Sequence, residues 1–435
     1  MLAYPLQVKM MSPLPSIIPY FIILLIIILS NVRIPSNLSL LSLNGIDLGV
    51  FIFTLLIVFH SGWQVIFGFV SIFSALNTLF IYGFPVIFFW YFSRFTILSE
   101  VKAVLMAIVL CGIISGTFFS YDSIMKLSFG KISQYSLQAE EYAQMRMGKI
   151  GVLTSGRAQI GYRSQGLLER HATSSIWIIF GLISALALIP SSKGFFRFVT
   201  ISFFGLMLII GLNFTPIVGF IILISLTEFR FFSLLFGKIH KKIIQKIGTL
   251  LFLSLMIFTA LITLLNQTIL NTILQLINYQ IKLVFTGTES GASYFGYIYS
   301  YLNNFINQIM YFPPILLIGE GFSGSFGMPK GGDIGFMETM ARLGIPFFII
   351  SVFGVIKIII RIYKHCLPYH QKGYFIINEL LIASAGFLFI ILFSELHYTV
   401  WTNKSVLPIL FISLGLIKMY SGKRGFNKLI YQNEF

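Results

Sequence analysis

Charge is scarce in this chain. Asp, Glu, Lys and Arg make up 10% of its 435 residues, against about a quarter in an ordinary soluble domain. With 57% hydrophobic residues and a mean hydropathy of +0.90, that excludes a water-soluble globule and requires an integral membrane protein. Strand-like alternation is missing as well: Phe21–Leu29 is continuously apolar, which excludes a transmembrane β-barrel. Spans this apolar must be helices, because lipid offers no partner to an open backbone. The two cysteines, Cys111 and Cys366, fall in an apolar span and in a basic loop assigned to the other side. They supply no disulfide framework and no thiolate metal site. Acidic residues number 14 against 30 Lys and Arg. The net charge of +16 is scattered between spans and forms no single basic face, so nucleic acid is not an expected partner. No small-residue cleavage site follows the first apolar run, so residues 14–30 read as an uncleaved span.

What is present is a succession of apolar runs. Twelve are long enough to span: about 14–31, 38–59, 62–77, 79–92, 102–120, 173–190, 198–212, 214–228, 248–265, 338–360, 377–394 and 405–419. Trp63–Phe92 fits two short spans or one long tilted helix. The expectation is an all-α, polytopic protein with a single transmembrane domain over 1–435 and no internal repeat. Lys193 and Arg197, the group from Arg230 to Lys246, the group Arg361, Lys364 and Lys372, and the tail from Lys418 to Lys428 mark inside loops. Both termini are then expected in the cytoplasm.

Two long polar stretches, 121–172 and 266–337, fall on the outer side as periplasmic loops. The first ends in Arg157, Arg163, Arg170 and His171. The second carries Glu320 and Asp333, with Glu338 and Arg342 just beyond. Glu338 and Arg342 are spaced to pair along a helix. A short outer turn holds Glu395, His397, Tyr398 and Trp401, the aromatics suiting an interfacial cap. Six glycines between Gly319 and Gly332 read as a flexible return to the next span. No Lys-Ser/Thr follows them, so they form no nucleotide cradle. Of the six histidines, His171 and His397 lie outside, and neither has a partner at ligand spacing. No nucleophile elbow is present. Arginines with a few outer carboxylates remain. That set suits departure of a lipid diphosphate, because guanidinium forks match phosphate oxygens and stay charged. Asp333, Glu320, Glu395 and His397 are the candidate bases for an acceptor hydroxyl. With two or more arginines neutralising the leaving group, no metal or soluble cofactor is implied.

Arg163-Ser-Gln-Gly166, just before a span, resembles the Arg-x-x-Gly turn of the O-antigen polymerase and ligase superfamily (Wzy-type polymerases). The run Leu317-Ile318-Gly319-Glu320-Gly321-Phe322, then Asp333-Ile334-Gly335-Phe336-Met337-Glu338, then Leu343-Gly344-Ile345, resembles that family's second signature. The resemblance covers roughly residues 150–360. It implies a dozen helices related to integral-membrane (GT-C-like) glycosyltransferases in the bacterial inner membrane. It implies polymerisation of undecaprenyl-diphosphate-linked oligosaccharide units, as donor and acceptor, into O-antigen or capsule at the periplasmic face. It further implies work beside a flippase and a chain-length regulator. By that likeness Arg163 contacts the diphosphate and Asp333 orients or deprotonates the acceptor, standing where ligases carry His-Asn. Arg157, Arg170, His171, Glu320, Arg342 and His397 are the further substrate-binding candidates. One departure is clear: many relatives carry a Ser-Arg pair where this chain has Asn213-Phe-Thr-Pro216, so a second cation comes from Arg157, Arg170 or Arg342, or is absent. The alternatives are a ligase that moves the glycan to lipid A core, a flippase or other transporter, and a structural or sensing subunit.

Overall fold

In the computed structural model, the described residues are 45–94, 98–129, 171–190, 193–211, 214–227, 315–322, 335–370, 376–396, 398, 400–401 and 403–421, with six isolated positions between 299 and 310. They are helical, with no strand among them. The helices are α1 (Gly45–Ile66), α2 (Ile72–Thr78), α3 (Val86–Arg94), α4 (Leu98–Phe129), α5 (His171–Leu188) and α6 (Gly194–Ile210). There follow α7 (Phe214–Thr227), α8 (Ile315–Ile318), α9 (Gly335–Leu343), α10 (Ile345–His370), α11 (Ile376–Ser394) and α12 (Leu407–Ser421). Four stretches are long and apolar enough to cross a membrane: Gly45–Ile66, Ile72–Arg94, Ser99–Met125 and Ile345–Lys364.

Over residues 38–92 the chain forms two apolar stretches, Gly45–Ile66 and Ile72–Arg94. In number this is the alternative with one long helix before Phe92, but the break falls later. The polar run His60-Ser61 looks like a break, yet it lies inside α1, where His60, Ser61 and Gln64 are buried. The chain turns later, at Gly68 with φ +72°, and Ser71 caps α2 by accepting from the Ser74 amide at 3.2 Å. The candidates 62–77 and 79–92 meet in one interrupted helix, Ile72–Arg94. A π-helical turn, Leu79–Gly83, joins its halves. Pro85 has no amide to continue the ladder, and α3 restarts at Val86.

Helices α5, α11 and α12 are apolar on all sides and buried nearly throughout, so they form the centre of the bundle. Helix α5 packs antiparallel on α4, where the Ser115 hydroxyl donates to the Ser174 carbonyl at 3.2 Å. The two backbones touch at Gly112 and Gly181. A Cβ on Gly112 would lie 2.7 Å from the Gly181 Cα, so only glycine permits this approach. Helix α10 turns an apolar face outward, with Ile350 and Phe353 exposed.

The ends of the bundle differ in charge. At one end Lys418, in the last turn of α12, pairs with Asp47, in the first turn of α1. Its ammonium also lies 5.5 Å from the Phe89 ring centre, and Arg94 covers Trp90 at 4.5 Å. Arg197 lies 3.8 Å from Glu379 at the same end. It also donates to the carbonyls of Leu186 and Ile189 at 2.7 and 2.6 Å. The acids open their helices and Lys418 closes its own, as the helix dipole favours. The opposite end gathers His60, Glu320, Glu338, Arg342 and Glu395.

Candidate functional site

The site at that opposite end is built around a strap, Ile318–Phe322, that carries Glu320. On one edge the Glu320 amide donates to the Ala341 carbonyl at 2.7 Å, and the Gly321 amide donates to the Arg342 carbonyl at 3.1 Å. On the other edge His60 Nε2 lies 2.5 Å from the Ile318 carbonyl. A carbonyl can only accept, so Nε2 carries the proton. One turn along α1, Gln64 Nε2 donates to the Glu320 carbonyl at 2.6 Å. A half-buried and a buried carbonyl are thereby satisfied by side chains of a membrane helix.

Glycine is required on both sides of Glu320. Gly319 and Gly321 have φ of +76° and +87°, in the left-handed region that favours glycine. A Cβ on Gly319 would lie 2.3 Å from the Arg342 carbonyl oxygen, and one on Gly321 would lie 2.8 Å from the His60 Cβ. The flexible return expected from the sequence is, at these two glycines, a pinned turn. The strap ends in Phe322, which stacks on Tyr82 of the π-helical turn at 4.3 Å and meets Phe53 edge-on at 5.8 Å.

Helix α9 supplies Glu338, Thr339 and Arg342. Arg342 pairs with Glu338, four residues before it, as its spacing predicts. Burial opposes the Arg342 charge, but Glu338, then Tyr82, Glu320 and Glu395, outweigh it, so the guanidinium is held above its ordinary range. Glu395, just past α11, is 2% exposed. Its Oε2 accepts the Val400 and Trp401 amides, each at 2.7 Å, and its Oε1 accepts the Thr339 hydroxyl. Burial pushes its carboxyl up to about 7, although the bonds from Thr339, Trp401 and Val400 pull the other way. The expected interfacial cap is corrected here: Tyr398 and Trp401 are buried at 8% and 6% exposure. Their turn folds inward because Glu395 needs their segment's amides.

Of the residues singled out in the sequence, Glu320 and Arg342 are brought together. His171 is the first residue of α5, on the same end of the bundle. Arg157, Arg163, Arg170, Asp333 and His397 lie outside the described residues. Among the described residues this end holds the carboxyls of Asp122, Glu320, Glu338 and Glu395 against the Arg342 guanidinium and the Lys404 ammonium, an excess of acid and not an anion cradle. Arg342, engaged by Glu338, is a poor second cation for a diphosphate. His60, Gln64, Tyr82 and Thr339 were not legible as site residues. The signal was nevertheless present: polar groups at i and i+4 within a lipid-length helix mark a site more often than a break. Compared with known families, characterised proteins and solved structures, the chain matches none of them.

Proposed function

We propose that this protein is a glycosyltransferase of the bacterial inner membrane. In this reading it polymerises undecaprenyl-diphosphate-linked oligosaccharide units at the periplasmic face. The observation that carries the reading is the pinning of the second polar stretch, through Gly319-Glu320-Gly321, onto the bundle end remote from Arg94, Arg197 and Lys418. Basic residues favour the cytoplasmic side, which supports an outer position for the carboxyl cluster. The acceptor hydroxyl attacks the anomeric carbon of the growing chain as the bond to the diphosphate oxygen breaks. Arg163 neutralises the departing oxygens. With Arg342 engaged by Glu338, Arg157 and Arg170 are the candidates for a second cation. Asp333 orients the acceptor.

Ligation of the glycan to lipid A core shares this chemistry. The rival reading is transport of the lipid-linked oligosaccharide; the Asp47–Lys418 and Arg197–Glu379 pairs lie in the terminal turns of their helices, away from the midplane where transport sites lie. Deletion of the gene followed by glycan gel analysis separates the three. A polymerase leaves ladders of a single unit. A ligase leaves long chains on the carrier, and a transporter leaves units in the cytoplasmic leaflet. Arg163→Ala and Asp333→Ala should each reproduce the single-unit ladder at normal protein level. Normal ladders from both would remove that site assignment.

A further inference from the structure

His60 and Gln64 have no task in the mechanism above, yet both are buried in a membrane helix and both donate to the strap. Their places along α1 measure how deep the strap lies, because a helix rises about 1.5 Å per residue. The top of that ruler is the turn at Gly68. No Asp, Glu, Lys or Arg occurs between Asp47 and Arg94. Around the turn Ile66, Phe67, Ile72 and Phe73 are exposed, Phe73 at 83%. A turn so apolar faces lipid and not water. From Phe67 it is about 5 Å down α1 to Gln64 and about 10 Å to His60. Ile318 and Glu320, whose carbonyls these two side chains hold, therefore lie below the turn. Phe322 lies deeper. Its ring meets Phe53 at 5.8 Å, and Phe53 is about 21 Å below Phe67 but only about 9 Å from Asp47.

Non-helical backbone at such a depth must find its partners within the protein. The strap does. Its Glu320 and Gly321 amides donate to carbonyls of α9, and its Ile318 and Glu320 carbonyls accept from α1. Leu317, just before it, is 68% exposed, and at the level of His60 the medium around the bundle is acyl chain. We infer that Ile318–Phe322, which residue order places in an outer polar stretch, is a re-entrant strap: it descends among the helices from the level of Gln64 toward the middle of the membrane, with Leu317 against acyl chains. His60 and Gln64 are the donors that let its backbone enter. Without either, a carbonyl loses its partner at a depth where water does not replace it. The inference rests on the glycosyl-transfer reading above only for naming the leaflet as the outer one.

The test uses the full-length chain in right-side-out membrane vesicles, with Cys111→Ala and Cys366→Ala and one new cysteine. Leu317→Cys reports on the strap. Asn303→Cys, at an exposed position of the same polar stretch, is the water-facing reference. A charged, membrane-impermeant maleimide reacts with thiolate, which lipid disfavours, and each pKa unit of rise leaves about tenfold less of it. Leu317→Cys should therefore label at least about tenfold more slowly than Asn303→Cys. A bimane attached at Leu317→Cys should be quenched by lipids brominated on their acyl chains and not by aqueous iodide. Equal labelling rates, or quenching by iodide alone, overturn the re-entrant strap, and quenching by neither overturns the lipid contact. His60→Leu and Gln64→Leu should each raise the Leu317→Cys rate about fivefold, the worth of one net hydrogen bond. His60→Gln offers an N–H near the Nε2 position and should restore the slow rate. Unchanged rates in both leucine variants overturn the gripping role, while the depth is read on the unaltered strap. Labelling of Asn303→Cys only in inside-out vesicles overturns the outer-face reading, and the contrast between Leu317 and Asn303 still decides the depth.

Discussion

Glu395 offers a quantitative test that needs no substrate. Its carboxyl is pushed from an ordinary 4.5 up to about 7, chiefly by burial. At 1.36 kcal/mol per pH unit, that gap corresponds to about 3 kcal/mol. The folded pKa is the higher one, so the stability linked to the proton is fully present below pH 4.5 and is lost as pH rises through 7. Replacement by Gln removes the ionisation and keeps the shape. One amide oxygen can accept from Val400 and Trp401, and the Thr339 hydroxyl can turn to accept from the amide nitrogen. Glu395→Gln should therefore match the wild type at pH 5 and exceed it at pH 8.5 by up to about 3 kcal/mol. Glu395→Ala strands two buried amides at about 1–3 kcal/mol each, so it should lose about 2–6 kcal/mol at pH 5, and about 3 kcal/mol less than that at pH 8.5, where the wild type alone carries the cost of ionisation. The assay is thermal unfolding in detergent at a fixed scan rate, because membrane proteins seldom unfold reversibly. Trp401, whose amide the carboxylate holds, is a built-in fluorescence reporter. A Gln variant that tracks the wild type at both pH values would show that the carboxyl is not held neutral by its surroundings. Equal losses in Gln and Ala would show that the amide bonds do not hold the turn.

The strap glycines and the basic end give further expectations. Gly319→Ala and Gly321→Ala each force a side chain into a left-handed turn at about 1–2 kcal/mol, with added collision against Arg342 or His60. Both should cut the yield of monodisperse protein on size exclusion, whereas Gly354→Ala, where an added Cβ meets nothing within 4 Å, should not. Asp47→Asn and Lys418→Met should each destabilise by about 3–5 kcal/mol, because each leaves a largely buried charge uncompensated. The double variant should lose less than the sum, with a coupling of about 1–3 kcal/mol in thermal unfolding; strict additivity would show that the pair does not act as one.

Much of the bundle was legible in residue order because lipid punishes exposed backbone and charge. Long apolar runs had to be helices, and the residues that close them at the basic end were already marked by Lys and Arg. The Glu338–Arg342 pair followed from helical spacing alone. The misreadings share one cause. By residue order His60 and Ser61 read as a break between spans, and Tyr398 with Trp401 as an interfacial cap, because a polar or amphipathic residue in an apolar run is ordinarily at its edge. Here those residues are interior, since a distant segment supplies their partners: Ile318 for His60, and the Glu395 carboxyl for the Val400–Trp401 turn.

Chain order settled that this protein is helical, apolar and charged mainly between its helices, because each of those properties depends on local composition and on the solvent around it. Packing settled which polar groups meet. Glu320 lies 256 positions from Gln64 and Glu395 lies 56 from Thr339, and no periodicity records such distances. The pinned strap exists because two helices far apart in sequence close on it from opposite edges, and a buried carbonyl accepts whichever donor the fold brings within reach.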